Sequence, residues 1–467
     1  MDVMQIEQAV LRDPVLSRLS ALAGREKVPL FLVGGYIRDL LLGIPSRDYD
    51  LTLPEAFSSF IPRIEDVLEL RFFRVGREET GTVTHRISKP EMSIDVTFFQ
   101  GRKIEDDLDR RDFTINAMAF SLGEGTFHHV ERSIQDIKDK VIRSVSDRSI
   151  DQDPLRMLRA IRYLSTLHGF RLDPRLAEAT LSKRGTILRT SGERIKMEID
   201  RILLAPHRNR GLQALRESGL LLVLFPEFKG FESLDPSPYH HVDALSHTLL
   251  MIEKLPWAVE WCARHGQDLF LSQEDELSLS YAALFHDLGK QDTATRDDEG
   301  TLHFYQHESF SSQRALKIIE RLRFSNRLRD QVLQLVEGHM RILTLSPVTK
   351  EAALKRLVHH MGDLTPLLVL HTLADKEASR GILSFPRDEA VEAFCLRILT
   401  LYEQKDIVRP LPLVSGHDLI ELGYAPGPKI GYILNVIREY QVTGEIKTRE
   451  EALKFIREEL GGAVDKG

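Results

Sequence analysis

One change of pattern, near residue 150, limits what this chain can fold into. Within residues 28–130, short runs rich in β-branched and aromatic residues are typical of strands: VPLFLVGG, DYDLTL, RFFRVG, TVTHRI and SIDVTFF. After Asp151 the apolar residues recur at helical spacing, as in PLRMLRAIRYLSTL. The sequence therefore predicts an α+β fold, in which a head with a small mixed sheet is followed by all-helical modules.

The number of modules follows from length and from the breaks between helical stretches. A chain of 467 residues is too long for one hydrophobic core. Segments rich in proline and glycine interrupt the helical half at FPEFKGFESLDPSPYHH, LSFPRDEA and DIVRPLPLVSGHD. We therefore predict four modules, which are a head at 1–145, a neck at 146–228, a third domain at 229–400 and a tail at 401–467.

Charge and cysteine content bear on compartment and partners. The net charge of −7 gives no general attraction to nucleic acid, yet residues 183–210 carry eight basic and three acidic side chains, which suits a phosphate backbone. Cys262 and Cys395 lie far apart without metal-type spacing, as expected in a reducing compartment. No apolar run approaches the roughly 20 residues of a membrane span, and the N-terminus has no signal-peptide layout. We expect a cytoplasmic protein with no membrane partner.

Two aspartates separated by one residue are the first candidate site. Alternate side chains of a strand face the same way, so Asp48 and Asp50 of DYDLTL project together. Such close carboxylates repel each other unless a cation lies between them, and oxygen ligands suit Mg²⁺. Asp95, in the middle of SIDVTFF, is a candidate third carboxylate. An Asp-x-Asp pair is also common in surface turns, so its neighbours must decide.

The neighbours favour a catalytic site. Gly34 and Gly35 end the preceding apolar run and allow backbone N–H groups to approach a phosphate. A helix that begins there points its N-terminus at the same charge, and Arg38 follows within its first turn. Together these features predict phosphate chemistry that depends on Mg²⁺.

Five segments in order resemble those of class II tRNA nucleotidyltransferases and bacterial poly(A) polymerases. They are LVGGYIRDLLLG, RDYDLTL, IEDDLDRRDFTINAMAF, DPLRMLRAIRYLSTLHGF and ERIKMEIDRIL, and they cover roughly the first 205 residues. The resemblance implies a polymerase-beta-like head and a neck that selects the nucleotide. It also implies that CTP and ATP supply nucleoside monophosphates to a tRNA 3′ end, with release of pyrophosphate.

The resemblance assigns roles to residues of the third segment. It places Arg111 on the triphosphate, because guanidinium groups match phosphate oxygens. It gives Asp112 and Asn116 local structural or sugar contacts. An Arg-Arg pair that is merely solvated at a helix start is the alternative.

The fourth segment carries a polar stripe. Asp153, Arg156, Arg159 and Arg162 recur every three residues, which on one helix would make a slowly drifting stripe. By resemblance, Asp153 and Arg156 act as a protein template that reads the base edge through an acceptor and donors. The family's usual glutamate before this aspartate is Gln152 here, which can alter how the pair is braced. A salt-bridged helix without this role is the alternative.

The helical half resembles the HD phosphohydrolase superfamily over roughly residues 235–385. The resemblance rests on SHTLLMIEKL, LFHDLGK and HTLADKEASRG, and it implies a site for a divalent transition metal of unknown identity. The implied ligands are His247, His286, Asp287 and Asp375. His307 and His339 stand where superfamily members often carry further histidines. The alternative is an HD fold kept only as a scaffold.

Three functions remain open from the sequence. They are tRNA 3′-end nucleotide addition, bacterial poly(A) synthesis, and phosphohydrolysis by a chain whose head only binds RNA. The tail resembles the tRNA-holding module of the nucleotidyltransferases and favours the first. Only residues 100–103 connect SIDVTFF to the next segment, where CCA-adding members have a flexible loop thought to aid the switch from CTP to ATP. We therefore predict ready C addition and slow or absent terminal A addition, with a separate A-adding enzyme as a partner.

Overall fold

The computed structural model describes residues 3–76, 83–99, 101–231, 243–298, 302–345, 348–379 and 385–460. The chain forms two compact units, Met1–Val223 and Leu224–Gly467. The four-module division stays a prediction. Among the described helices, none has both the length and the apolar character that crossing a bilayer requires.

In the described part of unit 1, the head is built on a seven-stranded mixed sheet in the order β3-β4-β5-β2-β1-β6-β7. The β2–β5 pair is parallel and the other pairs are antiparallel. The strands are β1 Phe31–Val33, β2 Asp48–Leu53, β3 Phe73–Val75, β4 Thr84–Lys89, β5 Met92–Phe98, β6 Met118–Ser121 and β7 Phe127–His129. The α+β fold and the five expected strands are confirmed. Strand β6 was not expected, because it is buried along its whole length and so lacks the alternation that marks a half-exposed strand.

The helices of unit 1 belong to the head and to the neck. In the head they are α1 Val3–Arg12, α2 Pro14–Glu26, α3 Gly35–Leu42, α4 Ile61–Leu68, α5 Ile104–Leu108 and α6 Ser133–Lys138. In the neck they are α7 Ser149–Gln152, α8 Arg156–Thr166, α9 Pro174–Lys183, α10 Gly192–Leu203 and α11 Arg208–Glu217. A short parallel pair, β8 Val141–Ile142 with β9 Arg171–Leu172, also occurs here.

One expectation about the neck is wrong. Asp153 does not lie on the helix that carries the three arginines, because its backbone is extended between α7 and α8. Pro154 explains this, since a proline disfavours the helical conformation in the residue before it. The acceptor and the arginine stripe therefore belong to different elements.

The described part of unit 2 is helical apart from one hairpin. Its helices after α12 Leu220–Leu224 are α13 Ala244–Arg264, α14 Gln273–Phe285, α15 Lys290–Thr293, α16 His307–Arg321, α17 Asn326–Gly338, α18 Met340–Leu343, α19 Glu351–Met361, α20 Thr365–Ser379, α21 Phe385–Tyr402 and α22 Lys405–Val408. The tail contains α23 Gly416–Glu421, α24 Pro428–Thr443 and α25 Arg449–Glu459, as its sequence pattern predicts. The hairpin, β10 Ala294–Arg296 with β11 Leu302–Phe304, was not expected in this half.

Candidate active sites

The two aspartates share one face of β2, as expected. Asp48 and Asp50 are exposed and Tyr49 between them is buried. The Ser93 hydroxyl donates to an Asp48 oxygen at 2.7 Å. Although Asp50 touches solvent, surrounding protein atoms displace much of its water, and this burial, with Asp95 and Asp48 adding to it, raises the pKa of its carboxyl to about 6. Neighbouring carboxylates whose ionised form is disfavoured in this way are suited to a divalent cation.

The third carboxylate has a partner that the sequence did not reveal. Asp95 pairs in register with Asp50 on one side and with Arg86 on the other. The Arg86 Nε and Nη2 atoms donate to the two Asp95 oxygens at 2.7 and 2.6 Å. Asp95 therefore stands beside the aspartate pair with its charge compensated by a guanidinium fork.

Gly34 gives Arg111 access to the carboxylates. It has φ of 72°, and an added Cβ there would lie 2.8 Å from Arg111 Nη1 and 3.8 Å from Asp50 Oδ2. Helix α3 begins at Gly35, which confirms the predicted helix start. The Arg111 Nη2 atom pairs with Asp107 at 3.1 Å. A phosphate near Gly34 would thus meet a helix N-terminus and a guanidinium group.

A chain of buried polar groups connects the predicted residues behind this point. The Arg38 guanidinium donates to the Asn116 oxygen at 2.7 Å, and the Asn116 amide donates to Asp112 at 3.1 Å and to the Tyr163 hydroxyl at 3.0 Å. Arg159 pairs with Asp112 at 2.6 Å. Burial raises the pKa of Asp112, but Arg159 and the hydrogen bonds outweigh this and lower it. These residues form a braced support for the site.

Asp153 and Arg156, the predicted template pair, each contact a different part of the unit. Arg156 donates to Ser149 Oγ at 2.8 Å and to the Arg110 carbonyl at 2.6 Å. Asp153 accepts from Arg194 at 2.8 Å. Burial lowers the pKa of Arg156, which the nearby carboxylate of Asp153 partly opposes. Arg156 therefore ties α8 to the segment that carries Arg111, and Asp153 is braced by α10.

Arg162, the last arginine of the stripe, makes its contacts within the neck. Arg162 Nε lies 2.7 Å from an oxygen of Glu198, whose side chain is buried. The Arg162 guanidinium also lies over the Tyr163 ring, 4.3 Å from its centroid. These contacts pack α8 against α10 and do not point to a nucleotide.

In unit 2, the four predicted ligands and the two further histidines lie together in buried positions. Among the described residues, there are two groups of three in which the possible ligand atoms all lie within 4.8 Å of one another. The first is His247, His286 and Asp375, and the second is Asp287, His307 and His339. We call these six residues the HD cluster. His286 and Asp287 directly follow Phe285, the last residue of α14, and His286 is the C-cap of that helix.

The turn after α14 explains how the cluster closes. A Cβ added at Gly289 would lie 2.2 Å from the His307 carbonyl oxygen, so the turn packs directly on the start of α16. Asp287 joins the two groups, because its Oδ2 lies 3.2 Å from His286 Nε2 and its Oδ1 lies 3.4 Å from His307 Nε2. The Lys290 ammonium also lies 2.6 Å from Asp287. Burial raises the pKa of Asp287, but these cationic neighbours lower it far more, so the carboxyl is ionised.

The hydrogen bonds of the histidines leave their Nε2 atoms facing the cluster. The Nδ1 atoms of His286, His307 and His339 each lie 2.8, 2.9 and 2.7 Å from a backbone carbonyl three residues earlier. Because a carbonyl only accepts, such contacts place a proton on Nδ1, and Nε2 is the atom that can bind a metal once it carries no proton. His307 Nε2 and His339 Nε2 are only 3.1 Å apart, so a proton or a cation must lie between them. The cluster therefore fits metal binding.

His371 lies beside the HD cluster, and sequence reasoning missed it. It lies one turn before Asp375 on α20, is fully buried, and its ring is centred 5.4 Å from that of His286. Neither ring nitrogen meets hydrogen-bond geometry, although the Ala282 carbonyl acts on the ring. Burial and the charge of His286 lower the pKa of His371 to about 3, so the ring is neutral.

Comparison with known proteins identifies the family. Three family models match parts of the chain. The model of the "Poly A polymerase head domain" matches residues 30–143, and that of the "Probable RNA and SrmB-binding site of polymerase A" matches residues 169–231. A model of "tRNA nucleotidyltransferase domain 2" matches residues 296–456. An A-adding tRNA nucleotidyltransferase of Deinococcus radiodurans is 31% identical over 440 residues, which are 91% of this chain and 94% of that protein. A CC-adding tRNA nucleotidyltransferase of Thermus thermophilus is 32% identical over 446 residues, which are 92% and 94%.

This chain belongs to the tRNA nucleotidyltransferase and poly(A) polymerase family. The fold of this tRNA nucleotidyltransferase family member agrees, because a CCA-adding enzyme solved with ATP superposes with a TM-score of 0.63 at 22% identity, covering 98% of this chain and 97% of that one. The two relatives add different nucleotides at nearly equal identity to this family member. Overall identity therefore does not separate C addition from A addition.

Sequence reasoning about this family member missed the partners of its site residues. Arg86 fixes Asp95, Tyr163 holds Asn116, and Lys290 contacts Asp287. All three had a readable signal. Tyr163 stands four residues after Arg159 on a helix, and Lys290 stands one turn after Asp287. Arg86 faces Asp95 across the β4–β5 hairpin, whose strands are joined by only Pro90 and Glu91.

Proposed function

We propose that the chain adds CMP to tRNA 3′ ends and adds the terminal AMP slowly or not at all. The observation that carries the proposal is the aspartate pair of β2, whose Asp50 lies near Gly34 and Arg111 and in register with Asp95. In the reaction the tRNA 3′ oxygen bonds to the α-phosphorus of the nucleotide. The bond to the β-phosphate oxygen breaks, pyrophosphate leaves, and the 3′ hydroxyl loses its proton.

The residues divide this work. Asp48 and Asp50 would hold Mg²⁺, which supplies charge stabilisation for the attacking and leaving oxygens when bound. Arg111 and the N-terminus of α3 would bind the triphosphate. Asp153 and Arg156 would read the base, and the basic surface of residues 183–210 would hold the acceptor end of the RNA.

Restriction to C addition rests on the connection after β5. Strand β5 ends at Phe98 and α5 begins at Ile104, and Gln100 between them lies outside the described residues. Lys103 already caps α5, so the described part of the connection is pinned to an ordered helix. A connection this short is a poor lever for reshaping the pocket from CTP to the larger ATP.

The decisive experiment offers tRNA ending at the discriminator base, at C or at CC. Each is given CTP, ATP or both, and the products are sequenced. Rapid CC addition with little terminal A supports the proposal. Full CCA formation would defeat the restriction alone, A addition to CC-ended tRNA only would reverse it, and long A tails on other RNA would favour a poly(A) polymerase. Asp48→Asn should abolish incorporation while leaving tRNA affinity near the parent value.

The HD cluster supports a second activity in unit 2. Six converging ligands, with Asp287 between the two groups, suit divalent transition metal and hydrolysis of a phosphoester. The bound metal would activate water. We expect hydrolysis of a 2′,3′-cyclic nucleotide with added Mn²⁺, Co²⁺ or Ni²⁺. A His286→Ala, Asp287→Ala double variant that hydrolyses as fast as the parent would remove this proposal.

A further inference from the structure

Asp13, outside every segment discussed so far, divides its two carboxylate oxygens between different tasks. It is the N-cap of α2, where Oδ1 accepts from the backbone N–H groups of Val15 and Leu16 at 2.9 and 3.0 Å. Its Oδ2 accepts from the hydroxyls of Tyr36 and Tyr49 at 3.1 and 2.9 Å. One oxygen would suffice to cap the helix, so the second is available for the tyrosines.

Tyr49 connects Asp13 to the metal-binding end of β2. It stands between Asp48 and Asp50, points to the opposite face, and is 5% exposed. In the described sheet, β5 pairs with β2 from its first residue, whereas β1 pairs with it only at Leu51 and Thr52. The strand end that carries the aspartates therefore has a neighbouring strand on one side only. The bond from Tyr49 to Asp13 fixes this end from the face opposite the carboxylates.

Tyr36 connects the same carboxylate to the phosphate end of the site. It is the second residue of α3, directly after Gly35, and its side chain is buried. Its ring stacks on that of Tyr49, with centroids 5.2 Å apart and planes 26° apart. The strand end and the helix start thus share one acceptor and one ring contact.

We propose that Asp13 is a positioning residue for nucleotide addition, which sets the distance between the aspartates of β2 and the N-terminus of α3. The inference rests on the proposed function of the head. Metal held by the first element and triphosphate held by the second must meet at one geometry, and small misplacements of reacting groups are costly to rate. Asp13 touches neither ligand and acts only through the two tyrosines.

The test uses the full chain and three substitutions. Tyr49→Phe and Tyr36→Phe each remove one hydroxyl and keep the ring. Asp13→Ser keeps an N-cap acceptor but is too short to reach both tyrosines. The matched control is Tyr424→Phe in unit 2, where a buried tyrosine donates to the Leu460 carbonyl at 3.3 Å.

The readouts are kcat, KM for CTP, the Mg²⁺ concentration for half-maximal rate, tRNA affinity and Tm. We expect Tyr49→Phe and Asp13→Ser to lower kcat on the order of tenfold and to raise the Mg²⁺ requirement severalfold. Tyr36→Phe should mainly raise KM for CTP. The Asp13→Ser, Tyr49→Phe double variant should be no worse than its worse single variant, because both remove the same bond. Tyr424→Phe should match the parent, and tRNA affinity should not change.

Two failures are distinguishable. A parent protein that incorporates no nucleotide overturns the proposed function, and the inference falls with it. An active parent whose Tyr49→Phe and Asp13→Ser variants keep the parent kcat and Mg²⁺ requirement overturns the inference alone. A fall in Tm with unchanged kinetics would likewise assign Asp13 to stability only.

Discussion

At the scale of single residues, the proposed role of Asp50 as a metal ligand makes the charge of its carboxyl important. Burial raises its pKa from 3.8 to about 6; Arg111 opposes this rise, and Asp95 and Asp48 add to it. Because a raised pKa favours the protonated acid, ionised Asp50 costs the metal-free head stability as pH rises through this interval. Mg²⁺ relieves that cost, since it binds the ionised form.

We therefore predict a pH-dependent Mg²⁺ requirement. Below pH 6 protons compete for Asp50, so the Mg²⁺ concentration for half-maximal CMP addition should rise toward about tenfold per pH unit, and above pH 7 it should level off. Initial rates over a grid of pH and Mg²⁺ measure this. The Asp50→Asn variant should show no Mg²⁺-stimulated addition at any pH. A requirement that stays flat between pH 5 and 7 would contradict the assignment of Asp50 to metal.

Arg156 gives a second prediction at this scale. Under its proposed role, Arg156→Ala removes donors to the base, and it also removes the contacts with Ser149 and the Arg110 carbonyl that tie α8 to the Arg111 segment. We expect lower rate and weaker discrimination among CTP, ATP and UTP, with selectivity losses of about 1–3 kcal/mol for unpaired polar groups. Arg159→Lys, which keeps a cation beside Asp112, is the control. Parent-like selectivity in Arg156→Ala would make the residue purely structural.

At the scale of elements, a comparison of two glycines can separate the effect of backbone strain from the effect of displacing Arg111. Gly34 and Gly43 flank α3 with φ of 72° and 70°, but a Cβ at Gly43 meets nothing within 4 Å. Gly34→Ala and Gly43→Ala should therefore each lower stability by about 1 kcal/mol. Only Gly34→Ala displaces Arg111, so only it should lower kcat, by at least tenfold. Equal activity of the two variants at matched stability would contradict the phosphate role of this turn.

Which elements were predictable follows from how local their signals are. The glycine pair, the alternation of DYDLTL and the helical spacing after Asp151 are signals within a few residues, and they predicted β2, α3 and α8 correctly. The extended backbone of Asp153 was also readable, because Pro154 follows it. The contact of Arg86 with Asp95 was readable too, because only Pro90 and Glu91 join their strands in a tight hairpin. The contacts of the two tyrosines with Asp13 required the packing of α2, which no short segment encodes. The roles given to the site residues stay predictions.

At the scale of the whole molecule, each compact unit holds one complete set of polar residues. The aspartates, the glycine turn and the template pair all lie in Met1–Val223, and the HD cluster lies in Leu224–Gly467. Among the described residues named above, each set is drawn from a single unit. This division supports chemistry that runs independently in the two units.

The prediction is that the two activities separate by mutation. The His286→Ala, Asp287→Ala variant should lose bound transition metal, measured by elemental analysis, and cyclic-nucleotide hydrolysis. Its CMP addition should stay within about twofold of the parent, since the head is untouched. Asp48→Asn should show the reverse pattern. Loss of CMP addition in the first variant, with circular dichroism and the Tm of unit 1 unchanged, would show that the units are coupled.

The 3.1 Å approach of His307 Nε2 to His339 Nε2 has a consequence for how the HD cluster can change in evolution. A buried polar group left without its partner costs about 1–3 kcal/mol, so loss of any one ligand penalises those that remain. A lineage that abandons the metal should replace the whole set by apolar residues within few further substitutions. Descendants of this chain should therefore carry the buried cluster complete or hardly at all, and a half-eroded set should be rare in nature.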